Sequence, residues 1–184
     1  DRRQRQMCIR DRTRFGPPEV QQVKRLGIRF LWRIAPLAIS AAFLSGLAMG
    51  AFWGMSALYA SRIGLPTSEV ATFVTAGIVG GALLQYPVGR LSDRFDRRRV
   101  LAGIVGVAAV SALLIIPASF ASVEFLYAAI ALYGGLAFAV YPVAVAHLID
   151  HLESGDILPG GSALLLVHGI GAAIGPALSL SLIH

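Results

Sequence analysis

The sequence predicts an all-α membrane protein with five transmembrane helices, on three observations. Its hydrophobic fraction is 56% and its mean hydropathy +0.70, above the range of soluble globular chains. Five stretches free of Asp, Glu, Lys and Arg reach roughly the 20 residues that cross a hydrocarbon core. None alternates polar with apolar residues as a barrel strand does, so their backbones must hydrogen-bond internally, as helices.

The elements follow in order. Thr13 to Arg33 reads as a basic cytoplasmic linker. Gly16-Pro17-Pro18 breaks any helix there. After it Lys24, Arg25, Arg29 and Arg33 are interleaved with Val20, Val23, Leu26, Phe30 and Leu31, a pattern suited to anionic headgroups. The first span is Ile34 to Ala60 and the second Val70 to Val88, opened by the cap sequence Pro66-Thr67-Ser68-Glu69. The third runs from Val100 to Val123 and is expected to end near Pro117, where the ring removes a helix N–H. The fourth is Phe125 to Ala146. The fifth is Gly160 to Ser179, opened by Pro159-Gly160-Gly161-Ser162. Glycines four apart (Gly46, Gly50, Gly54; Gly77, Gly81; Gly171, Gly175) predict faces on which helix backbones approach closely.

The two ends read differently. Met7 to Arg12 can be encoded by one strand of a short inverted repeat whose other strand encodes Leu180 to His184. The repeat looks like the transposon end used in sequencing libraries, and Asp1 to Gln6 fits the adapter that precedes it. Residues 1–12 and 180–184 are therefore expected to be adapter sequence. Without the five arginines and two aspartates of the first segment the formal charge falls from +6 to +3. The high pI then gives no reason to expect nucleic acid as a partner. Cys8 is the one cysteine, so no disulfide or thiolate metal site is expected.

Lys and Arg set the orientation. Ten flank the first span on its N-terminal side or follow the second span, and only Arg62 lies on the other face. The linker and the loop after the second span are thus expected in the cytoplasm. The loop after the fourth span shares that side by parity, though it carries Asp150, Glu153 and Asp156 and no Lys or Arg.

Between the second and third spans stands Gly89-Arg90-Leu91-Ser92-Asp93-Arg94-Phe95-Asp96-Arg97-Arg98-Arg99, in which seven of eleven side chains are charged. The order Gly-x-Leu-Ser-Asp-Arg-x-x-Arg-Arg-Arg resembles the loop signature of the major facilitator superfamily of transporters, which usually has Gly where this chain has Asp96. Further strings are similar to the C-terminal half of the bacterial YcaD-type branch: Ser45-Gly46, Gly50-Ala51-Phe52-Trp53, Leu84 to Arg90, Tyr141-Pro142-Val143-Ala144, Leu164-Leu165-Leu166 and Gly171 to Pro176. The resemblance implies that residues 34–179 are helices seven to eleven of twelve, a truncated six-helix bundle, with helix twelve and the N-terminal half of the same chain (helices one to six) missing. It implies a secondary transporter of the bacterial inner membrane, working by alternating access on a small solute among membrane lipids, with proton coupling open. A non-transporting sensor on the same fold is the alternative.

The resemblance also implies that the loop gates. In the family the acid at the position of Asp93 meets a neighbouring helix N-terminus and locks the outward-facing state. Here that helix is expected to be the fifth, near Gly160, with Gly89 at the turn and Arg94, Arg97 and Arg98 reaching Asp150 or Glu153. The alternative is a solvated basic turn. Polar groups inside spans are costly and so are site candidates. His168, midway along the fifth span, would bind substrate or a proton, or else simply bond a neighbouring helix. Trp53, Tyr133, Tyr141 and Gln85 are candidate cavity residues. His147 and His151 have metal-ligand spacing, but Leu148 holds the position where a zinc protease needs its Glu. No third ligand is evident, and no metal, cofactor or enzyme activity is expected. Nor is there a phosphate-binding glycine loop of an ATP-driven pump.

Overall fold

A computed structural model describes residues 26–183; the expected adapter at 1–12 and most of the linker lie outside the described residues. They form six α-helices: α1 (Ile28–Ile34), α2 (Pro36–Arg62), α3 (Thr67–Arg94), α4 (Arg97–Ala121), α5 (Val123–Ile149) and α6 (Ile157–Ile183). A 3-10 turn, Ser154–Asp156, leads into α6. The last five are long and apolar enough to span a membrane.

Local chemistry sets the breaks. Ala35 precedes a proline and takes φ −139°, ψ 68°, outside the helical region, as the clash with the proline ring demands. Pro36 then opens α2 at a position that needs no N–H. Gly64, at φ +89°, reverses the chain after α2. This left-handed conformation is one that glycine adopts without steric cost. A single residue, Ser122, separates α4 from α5. Its hydroxyl accepts from the Phe125 N–H at 3.2 Å, capping α5.

Two expected boundaries are corrected. The third span does not stop at Pro117: α4 continues to Ala121. The fifth starts at Ile157, three residues before Gly160, and Pro159 sits in its first turn, where the missing N–H has no helical partner to lose. Prolines also lie inside α3, α5 and α6, at Pro87, Pro142 and Pro176. Spanning helices tolerate them where neighbours re-satisfy the backbone.

Helix packing is organised around α2 and α5. α6 lies along α2, α3 lies along α5, and α4 covers a further side of α5. Burying apolar side chains drives little association when the alternative is lipid, so close backbone contact has to supply it. Both long pairings are glycine seams. A Cβ on Gly46 or Gly50 would fall on the backbone of His168 or Ala172, and one on Gly171 or Gly175 on that of Phe43 or Leu47. In the other pair Gly80 faces Ala131 and Gly134 faces Gly77 in the same way. Since α2 and α5 run in opposite directions, the two glycine-seamed pairs also point in opposite directions. α1 is tucked under this bundle by Leu31, 0% exposed, which packs with Leu148 and Leu164.

Candidate functional site

The ends of α3 and α5 and the start of α4 meet at one charged end of the bundle. Only Phe95 and Asp96 separate α3 from α4. Asp96 is the N-cap of α4: its carboxylate accepts from the Arg98 N–H at 2.8 Å. That satisfies a free amide and places an anion at the positive end of the helix. The Arg97 guanidinium ties the three helix ends together. Its Nε lies 3.1 Å from Asp150 Oδ2, and its Nη2 lies 3.4 Å from Asp93 Oδ1.

The rest of the loop is simpler. Arg90 lies over the Tyr86 ring, 4.3 Å from its centroid, a cation–π contact. Arg94, Arg98 and Glu153 make no ion pair among the described residues. A Cβ on Gly89 would meet nothing within 4 Å. Gly160, in the first turn of α6, is buried against Leu152. Asp93 has Arg97 as its partner, and α3 packs on α5 rather than on α6.

Deeper in the bundle, aromatic rings form a row across three helices. Trp53 on α2 stands edge-on to Phe138 on α5, with centroids 6.1 Å apart, and Phe52 braces both at 5.3 and 5.5 Å. Tyr141 shares the face of Phe138, three residues along the helix. Its ring centroid is 4.5 Å from that of His168 on α6. His168 Nδ1 lies 3.3 Å from the carbonyl oxygen of Ala42. A carbonyl only accepts, so Nδ1 is the donor in this contact. The Gly46 seam makes this contact possible, because it brings the α6 backbone at His168 directly onto α2.

Two sequence candidates lie elsewhere. Tyr133 stands between two cavities, one of 220 Å³ beside Phe52, Tyr59 and Phe73 and one of 160 Å³ beside Ser45 and Val105. Gln85 is in a separate recess with Ser92, Asp93 and Pro142. Phe138, which meets Trp53 and lies one turn from Tyr141, is a residue that sequence reasoning missed; its signal was the i, i+3 spacing to Tyr141. Among the described residues no group of three His, Cys, Asp or Glu could hold a metal ion.

Comparison with known proteins adds a family. Residues 38–184 match the family model described as Major Facilitator Superfamily. The uncharacterized MFS-type transporter YcaD of Escherichia fergusonii is 32% identical over 180 residues, covering 94% of this chain and 44% of that protein. Its namesake in Shigella flexneri is 30% identical over 152 residues, covering 83% of this chain and 38% of that protein. The chain thus spans about two fifths of the length of these relatives. No solved structure matches it.

Proposed function

Because this chain belongs to the major facilitator superfamily, we propose that it forms part of a secondary transporter that moves a small solute across the bacterial inner membrane by alternating access. The observation that carries the reading is the row Trp53–Phe138–Tyr141–His168. It links α2, α5 and α6 and ends at the His168 ring. Trp53 is 61% exposed at one end of the row. In this reading the rings hold the apolar body of the solute, and His168 Nε2 takes a hydrogen bond from it or a proton from the coupling ion.

The loop from Gly89 to Arg99 is the gate, with its cytoplasmic location resting on the excess of Lys and Arg at that end. Asp93, Arg97 and Asp150 hold it closed against α5. Breaking that tie lets the start of α4 part from the end of α5 while the two glycine-seamed pairs stay intact.

The test is transport by the full-length gene product in everted vesicles, read as solute-dependent collapse of a proton gradient over a panel of neutral and charged solutes. A solute should be found, and His168→Ala should weaken its half-saturation by roughly 10- to 100-fold, the worth of one buried hydrogen bond. Full activity of His168→Ala toward every transported solute would refute the site.

A further inference from the structure

The charged end contains a recess of 430 Å³ whose wall includes Ser92, Asp93, Arg97, His147 and Asp150. Two polar atoms in that wall are buried and have no hydrogen-bond partner: Ser92 Oγ and His147 Nε2. Their residues are 4% and 3% exposed. Native structures seldom leave such atoms unpaired, because each gives up its bonds to water and gains nothing in return. The charges around them are also unbalanced. Asp93, Asp96 and Asp150 face Arg97 and Arg98, so with neutral imidazoles the recess holds one more carboxylate than guanidinium. What its wall lacks is a partner for each of these two atoms.

We propose that His147 is a proton-binding site, and that its protonation releases the tie between Arg97 and Asp150. This goes beyond the transport reading, since it concerns the state of the loop whatever solute is carried. His147 sits in the last turn of α5, where the helix dipole favours a cation. Asp150 is three residues further on, on the same face. An imidazolium at 147 donates from both nitrogens and draws the Asp150 carboxylate, whose Oδ2 is now held by Arg97 Nε at 3.1 Å. The proton comes from bulk water, and no other bond is made or broken covalently.

Burial of the ring opposes the proton most, and Asp150 on the same chain segment favours it; the carboxylates of Asp93 at the end of α3 and Asp96 in the turn also line the recess. Arg97 and Arg98 on α4 oppose the proton. His151 opposes it too, with its ring centroid 4.7 Å from that of His147. His151 Nδ1 donates to the His147 carbonyl at 2.8 Å, so that second ring is already anchored. Toward α1 and α6 the end of α5 is apolar, with Leu148 against Leu31 and Leu164.

The proposal is tested on the full-length protein in nanodiscs, in a background whose other cysteines are replaced by serine. Ring-labelled histidine is followed by carbon NMR between pH 5 and 8, and a bimane on Arg99→Cys reports the loop. The His147 resonance should titrate in this window, and the bimane emission should shift over the same range. The emission shift should vanish in His147→Gln and persist in His151→Gln. A His147 that stays neutral down to pH 5, or an emission shift that survives His147→Gln, overturns the proposal. Should His147→Gln fail to fold, Asp150→Asn decides. It must lower the His147 midpoint, because it removes the carboxylate that favours the charged ring; an unmoved midpoint sinks the idea equally.

Discussion

Asp96 shows how a residue can be read correctly and understood only in three dimensions. In the sequence it was a departure from the family's loop pattern, an acid where Gly is usual. In the structure it caps α4 through the Arg98 N–H. Glycine is itself an acceptable N-cap, so both residues end the turn, by different means. Asp96→Ala should therefore lower stability by about 1 kcal/mol, while Asp96→Gly should cost only a few tenths. Denaturant titration in mixed micelles would measure both, and equal losses would show that the cap is not what the carboxylate supplies. The charged loop as a whole was legible because seven charges among eleven residues cannot hide between apolar spans. Its partner in space was less so. Asp150 was named with Glu153 as an alternative, and only the packing of α5 beside α4 puts the first, not the second, against Arg97. The row of rings was legible in pieces. Trp53, Tyr141 and His168 were legible one by one, but nothing in a single sequence says that Phe138 packs against Trp53 from another helix.

The spanning helices were legible because length and apolarity are local properties that a bilayer reads directly. Their ends were not. Proline was given the weight it has in water, and the bundle lets α4 run through Pro117 to Ala121. The glycine seams were half legible. Four-residue spacing pointed to Gly46, Gly50, Gly171 and Gly175, all of which lie against backbone, but it missed Gly80 and Gly134. Gly80 falls outside the repeat, and Gly134 has no glycine four residues away on either side. Gly46→Ile should break the α2–α6 pairing, since even a Cβ has no room there. Gly103→Ile should be tolerated, because nothing stands within 4 Å of its Cβ position. Overpacking of this kind costs about 1–3 kcal/mol or more. Thermal unfolding of purified variants would show it, and equal midpoints for the two would mean that the seams do not hold the pairs together.

At the scale of the whole molecule the orientation is the prediction most easily checked. Single cysteines at Arg99 and Ser154 should be shielded from impermeant thiol reagents in intact cells, and one at Ser61 should react; labelling at Arg99 from outside would invert the topology. Ser92 is unsuitable as a reporter, because its side chain is buried and would be shielded on either side. The two ends of the bundle also differ in what they offer an antibody or a protease. Opposite the charged loop, the described chain leaves the helices only at Ile63–Pro66 and at Ser122. Four residues and then one, the four closed by a left-handed glycine and the single serine bonded into a cap, make neither an epitope of useful size nor a strand that a protease cleft can draw out. If that face is the outer one, the described residues present almost no immunological surface to the world, and reagents raised against this part of the protein will have to come from the other side.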